Sequence, residues 1–563
     1  MGKALFAFTI GPVKSFVENG RKMNDLYAGS RLLSKLTKCA VEFLEEKSEN
    51  KNIEVIFPLP SKEFDSLPNR LLANIENYCE EQHKKLAEDL SCHVKKNFEE
   101  IYKKEFTKFK NFNISESDLK KAENQLKNFL EFYWLFQPYN CDEEYNEAYQ
   151  DIFHNLHSVK SIRQFKQLNE PWGRKCSLHP EYNAIFVKKN EKCNYPHNTN
   201  PNEIIDISNV ESLNYKVKQN EALSAVAMLK RLYGDNEVRS IREIVLKKTL
   251  DFNNNLLGAK WYKENITCEV RNIQTQLVNA IYDVYNKLPK NNDEYSLEIF
   301  EIAEKLVENL KNKSFKLQQY YALLKFDGDY MGTKYLELKS KSEHKKLSKK
   351  ICNFAICAEE MIKKVGGICI YAGGEDILAI LPLEELWETL QELHFKFGEM
   401  LKMPCVEPFT FSSGIVIAHL MQPLKDVMYQ ANKAEKLAKE ANNKNSFSVS
   451  LMKRGSEIRH ITYSFEAEYE KLESLKCLIN LFKEDTNSKT FIYDISQTLN
   501  KLSFDIEEEI ATTLIEQSLQ SKGICKSDEV LKHLNVLYEN KNHENFLNML
   551  NIVGFLSKEV MQN

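Results

Sequence analysis

Glycine is scarce, 18 in 563 residues, and none falls between Ser30 and Trp172. Proline is also sparse, at 14. A chain so poor in both breakers favours helix. No run approaches the roughly 18 apolar residues of a membrane-spanning helix. Hydrophobic residues at 42% with 28% charged exclude disorder as the main state. Positive charge is not in excess: the net charge of −4 excludes gripping nucleic acid by bulk charge, but leaves room for a local basic groove or a place in a larger assembly. The start, Met1 to Gly11, has one lysine and a short apolar run stopped by a Gly-Pro turn, so no secretory signal is expected. The 13 cysteines are odd in number and scattered, which reads as reduced thiols of a cytoplasmic protein with room for one metal site. The length allows about three to five domains.

Against this scarcity, six glycines fall from Gly328 to Gly374. Such a concentration marks backbone that turns tightly or approaches a ligand. Residues 3–10 read as a buried strand closed by Gly11 and Pro12, followed by a helix over about 13–43 and a strand at 53–57. A Lys/Glu-rich stretch over about 70–130 reads as helical, and 132–136 as a strand. This order fits an α+β sheet of ferredoxin type. Residues 170–215 are proline-bearing and loop-rich, and 216–318 read as helical. A second α+β unit begins at Tyr320, with strands at 321–326, 368–372, 377–381 and 410–419, and helices at 342–364, 383–401 and 425–441. The two units suggest an internal duplication. From about 460 the chain reads as helical to its end.

Asp327 and Asp329 sit two apart at a strand end, so strand periodicity places them on one face. Gly328 lets a backbone or phosphate come close. Gly373-Gly374-Glu375-Asp376 forms the turn of the next hairpin. If those strands are neighbours, three or four carboxylates converge into an oxygen cluster suited to Mg²⁺ or Mn²⁺ holding a triphosphate. With 81 acidic residues, such pairs also arise by chance, and Gly-Gly-Glu-Asp alone reads equally as an ordinary turn.

These residues resemble a known family, the large polymerase/cyclase-type subunit of type III CRISPR effector complexes, most closely its III-B branch. The resemblance rests on ordered motifs: Ile10 to Phe16, Arg21 to Ser30, Ile56 to Pro58, Pro68 to Arg70, Phe132 to Trp134, Lys175 to Leu178, Ala222 to Arg231, Phe326 to Gly332, Gly373 to Asp376 and Ser412 to His419. It implies two ferredoxin-like palm domains facing each other, a zinc module and helical domains. The expected boundaries are 1–165 for the first palm, 166–215 for the zinc module, 216–318 helical, 319–455 for the second palm and 456–563 helical.

The resemblance further implies an ATP-using nucleotidyltransferase, active when guide RNA pairs with target RNA among the other subunits. Its products are usually cyclic oligoadenylates; some members instead join AMP to S-adenosylmethionine. Carried over, Asp327 and Asp376 are metal ligands, with Asp329 next. Glu375 stands where the family usually has Asp, and related cyclases tolerate either. Gly328, Gly373, Gly374 and Ser413 line the nucleotide, and Lys439 resembles a phosphate-binding lysine. Gly11, Asp25 and Asn69 would face the acceptor from the first palm.

Two departures stand out. Many members begin with a nuclease domain marked by a His-Asp pair; this chain has no such dipeptide, and no nuclease is expected. The zinc knuckle usually has two Cys-x-x-Cys pairs. Here Cys176-x-x-His179 is followed by Cys193-x-x-x-His197, both with ligand spacing for Zn²⁺; a plain Cys- and His-bearing loop is the alternative. Two other functions compete: a catalytically idle scaffold for guide and target RNA, and a nucleotide-binding regulator outside CRISPR.

Overall fold

The computed structural model describes residues 3–48, 52–59, 66–77, 79–107, 116–161, 170, 173–188, 205–208, 217–233, 240–252, 268–290, 295–312, 316–404, 406–441, 443–455, 457–465, 467–485, 487–501, 508–538 and 543–559. The chain is a mixed α/β multidomain protein built on two sheets.

The first sheet forms around β1 (Lys3–Gly11), an apolar run with both faces buried. A short helix α1 (Lys14–Glu18) and the long α2 (Met23–Glu46) follow, then β2 (Ile53–Phe57) and β3 (Arg70–Glu76). Helices α3 (Glu80–Phe106) and α4 (Glu116–Lys127) lead to β4 (Glu131–Tyr139), and α5 (Tyr145–Ser161) packs on the sheet. The strands lie in the order β2-β3-β1-β4, all antiparallel. Helix α2 turns Leu32, Leu36, Ala40 and Leu44 into the core at helical spacing. Strand β3 falls inside the stretch expected to be helical. Its Leu71-Leu-Ala-Asn-Ile75 run is buried on both faces, and a short apolar run has no period that separates strand from helix.

A small sheet of β5 (Phe186–Val187), β6 (Ile205–Asp206) and β7 (Ala222–Leu223) follows in the order β6-β5-β7. Helix α6 (Ala225–Tyr233) then packs on α2. Next come α7 (Ile241–Phe252), α8 (Cys268–Tyr285) and α9 (Leu297–Asn312).

The second sheet holds β8 (Tyr320–Gly328), β9 (Ile368–Ala372), β10 (Ile377–Pro382), β11 (Phe411–His419), β12 (Ser446–Met452) and β13 (Ile458–Ser464). Helices α10 (Met331–Glu337) and α11 (Lys341–Lys364) join β8 to β9; α12 (Leu386–Leu401) joins β10 to β11; and α13 (Leu424–Glu440) joins β11 to β12. The order is β13-β12-β11-β8-β10-β9. Four of them, β11-β8-β10-β9 at one end of the sheet, repeat the connectivity of the first sheet. Strands β12 and β13 extend it; β13 occupies the start of the stretch expected to be helical, because its backbone pairs with β12 from Ser446 to Met452, a partner distant from any local period. Helices α14 (Glu470–Glu484), α15 (Ser488–Lys501), α16 (Glu508–Ser521), α17 (Ser527–Leu537) and α18 (His543–Glu559) close the chain.

Helix α13 lies directly on β11. A Cβ on Gly414 would stand 2.3 Å from the backbone nitrogen of Glu435 and 2.5 Å from the carbonyl oxygen of Ala431. Backbone cannot give way as a flexible side chain can. Gly414→Ala should therefore destabilise the protein by about 3 kcal/mol, the upper end for overpacking, measured by denaturant melting; an unchanged midpoint would show that the helix is free to move.

Candidate active site

Strand β10 pairs antiparallel with β8, Ile377 opposite Phe326 and Leu378 opposite Lys325. Continued one step past the paired residues, this register sets Asp376 across from Asp327. One further, Glu375 meets Gly328, where a Cβ would lie 3.1 Å from that of Glu375. The hairpin is tight because Gly374 takes φ +100° and a Cβ on Gly373 would overlap the Tyr371 hydroxyl. The expected neighbourhood of the two acidic turns is thus present.

Lysines from β8 and α13 answer the acids. Lys439 forms an ion pair with Asp327 and lies 3.3 Å from Glu435. Lys325 lies 3.0 Å from Glu435 and 3.9 Å from Glu18, and donates to Asn432. Burial lowers Lys439 to about 8, helped by Lys444 and Lys325. Burial, then the charges of Glu375 and Glu435, pushes Asp376 up to about 8, against the pull of Lys325 and Arg70. Burial also raises Glu375, with Arg70 the cation opposing it. Asp376 Oδ1 is buried without a hydrogen-bond donor among the described residues. An orphaned carboxylate oxygen opposite a second carboxylate fits a divalent cation. Among the described residues no three His, Cys, Asp or Glu side chains gather as a complete metal site. The expected convergence of three or four carboxylates is therefore not found among the described residues, and the pair Asp327 and Asp376 is what remains to meet a cation.

Asp329 differs from the expectation. The strand ends at Gly328, and Asp329 is fully buried beyond it. Its carboxylate accepts from Ser412 Oγ at 2.8 Å, Thr410 Oγ1 at 3.0 Å and the backbone N–H of Asn445 at 3.0 Å. It fastens the strand end rather than facing the cleft. Ser413 is buried opposite Phe326, its hydroxyl without a partner among the described residues.

On the first unit, Asp25 does not face an acceptor either. It is fully buried, 2.6 Å from Arg231 Nε, and accepts from the backbone N–H groups of Arg21 and Lys22. Arg231 also bonds Glu221 at 3.0 Å. Asn69 Nδ2 donates to Ile10 O at 3.0 Å and Thr9 Oγ1 at 3.2 Å, and Ile10 N donates to Asn69 O. Gly11 closes β1 beside Glu131. In the first sheet, Ile10 and Asn69 thus occupy the strand-end positions that Asp327 and Asp376 hold in the second. What the first unit brings to the acids is Glu18 and Arg70. Lys325 and Arg70 went unassigned from sequence, although a lysine inside an apolar strand next to an acid is a readable signal.

In the loop-rich module, Cys176 Sγ accepts from the backbone N–H groups of Leu178 at 3.5 Å and His179 at 3.4 Å. His179 Nε2 is buried without a partner among the described residues. This half of the pattern fits a metal knuckle; Cys193 and His197 lie outside the described residues.

Residues 320–448 match the family described as Cas10/Cmr2, second palm domain, and residues 5–103 match the N-terminal domain of the CRISPR-associated protein Cmr2. A CRISPR system Cmr subunit Cmr2 from Pyrococcus furiosus is 24% identical over 570 residues, covering 83% of this chain. The chain spans 64% of that relative's length. Two solved structures of the type III-B Cmr-beta complex, apo and bound to cognate target RNA, contain similar chains. The TM-score is 0.68 for each, at 13% and 12% identity, over 99% of this chain and 82% and 83% of theirs. The structural likeness speaks for the fold, and the family matches make this chain similar to a type III-B Cas10/Cmr2 subunit.

The raised Asp376 has a measurable consequence. Its folded state keeps a proton that an unfolded carboxyl releases near pH 3.9. The resulting stability is full below about pH 4 and is lost as pH rises to about 8. Asp376→Asn removes that loss, so its melting temperature should exceed wild type's by a gap that widens from about pH 5 to about pH 8. A gap independent of pH would show that Asp376 titrates normally.

Proposed function

We propose that this chain is the large, palm-domain subunit of a type III-B CRISPR effector complex and acts there as an ATP-dependent nucleotidyltransferase. The observation that carries the reading is the pairing of β8 with β10, which sets Asp327 against Asp376 with Lys439 and Lys325 beside them. The shared strand order supports reading both sheets as ferredoxin-like palms, 1–165 and 319–455, with 166–215 as the zinc module and 216–318 and 456–563 as helical domains. We place the protein in the cytoplasm, with guide RNA and target RNA reaching it through the other subunits.

Asp327 and Asp376 would hold Mg²⁺ or Mn²⁺, which when bound neutralises triphosphate charge and activates a hydroxyl. Lys439, released from Asp327 as the nucleotide enters, pairs with phosphate oxygens, and Lys325 keeps Glu435 neutralised. Gly328, Gly373 and Gly374 leave the backbone open to close approach. In the reaction a ribose 3′-oxygen forms a bond to the α-phosphorus of ATP, the bond from that phosphorus to the pyrophosphate oxygen breaks, and the hydroxyl proton is lost to solvent. Positioning and charge neutralisation supply the rate. The acceptor lies toward Gly11, Asn69 and Arg70. With ATP as acceptor the product is an oligoadenylate second messenger; with S-adenosylmethionine it is a single conjugate. A Zn²⁺ held by Cys176, His179, Cys193 and His197 would fasten the loop-rich module.

Asp327→Ala with Asp376→Ala should abolish ATP turnover in the assembled complex while leaving assembly intact. Label at the α-phosphate should enter the product, whereas transfer of the γ-label to an acceptor, leaving ADP, would refute the mechanism. A scaffold would give no product at all. Metal analysis of the purified protein should find one zinc per chain, lost in Cys176→Ser with His179→Ala; its absence from wild type would remove the knuckle.

A further inference from the structure

One buried chain of hydrogen bonds beside the acids has no part in that reaction. His394, on α12, stacks on Phe465 with ring centroids 4.0 Å apart and meets Phe411 edge-on at 5.0 Å. Its Nδ1 lies 2.9 Å from the Tyr469 hydroxyl and its Nε2 2.7 Å from Asn445 Oδ1. Asn445 Nδ2 donates to the carbonyl oxygen of Phe465 at 2.9 Å, which leaves Oδ1 as the acceptor. His394 Nε2 therefore carries the proton, and Nδ1 accepts from Tyr469. Burial keeps the ring neutral, in agreement with this tautomer. The backbone N–H of Asn445 donates in turn to Asp329 Oδ2.

Both ends of this chain are backbone that most residues avoid. Asn443, Lys444 and Asn445 take φ of 64°, 54° and 42° in succession, and Glu468 and Tyr469 take 66° and 56° at the entrance to α14. Successive left-handed residues persist only where their surroundings hold them. Between Tyr469 and Asn445 the links are single and directional; at its far end Asp329 also holds Ser412 and Thr410, so the chain biases the carboxylate alongside those two donors.

We propose that Tyr469, His394 and Asn445 are positioning residues through which the C-terminal helices set Asp329, and with it the turn 327–332 that presents Asp327. The catalytic part of this inference rests on the reading of Asp327 given under the proposed function.

Hydrogen exchange on the full chain tests the coupling without any assumption about the reaction. Tyr469→Phe removes only the hydroxyl. Asn445→Gly keeps the left-handed backbone and its N–H but removes the amide link. Each should speed exchange of the amides in 329–334 by about tenfold. The double variant should be no faster than the faster single, as expected for one coupled chain. Tyr493→Phe, at a side chain 69% exposed on α15, should change nothing there. In the complex, the two variants should lower kcat for ATP by about three- to tenfold, the effect of one hydrogen bond, with KM unchanged. Unchanged exchange, or additive effects in the double variant, would overturn the coupling. Altered exchange with unaltered kcat would overturn its role in positioning Asp327. If wild type makes no adenylate product, the functional reading fails, and the exchange data still decide the chain.

Discussion

Two carboxylates brought together at the ends of paired strands and only partly open to water resist being ionised together. The surroundings of Asp327 and Asp376 follow from that constraint. Lys439 and Lys325 reach in from one side and Arg70 from the other, while Glu435 ties the two lysines together. Lys439 can do so because Gly414 lets α13 rest on the backbone of β11, without side chains holding it off. The glycine turn completes the arrangement by keeping the acids at the strand ends rather than beyond them.

The first unit uses its buried charges differently. Asp25, Arg231 and Glu221 form a dry ion-paired group, and Lys230 donates to the carbonyl oxygens of Phe16 at 2.5 Å and Asn19 at 2.7 Å. Such groups add little net stability, but removing one partner strands the rest. They fasten α6 and the stretch 16–22, from the end of α1 onward, to α2. The two units then meet through Arg31 with Glu359 at 2.7 Å, Glu54 with Lys341 at 2.8 Å and Lys345 at 2.6 Å, and the N–H of Ala372 donating to Ser66 Oγ at 3.0 Å. Ala372 directly precedes the glycine turn, so the docking also orients the acids.

Much of this was legible from residue order. Strands β1, β8 and β9 fall where apolar runs end at or just before a glycine, β10 follows the Gly373-Gly374 turn, and the acidic turns sit where expected. The hairpin of β9 with β10 was legible from its glycine turn, and its place beside β8 followed from the acids; the pairing of β8 with β11 on its other edge was not, because it is chosen by contacts distant in sequence. The same limit explains Asp25 and Asp329. Each is an acid in a motif, and each is claimed by donors that local sequence does not display: Arg231 far down the chain for one, Ser412, Thr410 and Asn445 for the other. Strand β3 was lost in a helical neighbourhood for lack of a period. Arg70 and Glu18 act across the boundary between units, which no local pattern marks.

The two sheets share their strand order, yet only one carries acids at the paired strand ends; the other has Ile10 and Asn69 there. A true two-fold pair would offer two equivalent stations, each able to donate in turn. The two sheets share only their strand order with such a pair, and one of them carries the acids. Any chemistry across them has one sense, with one molecule always the giver and the other always the receiver. In the reaction proposed above, every adenylate would be given from the same side.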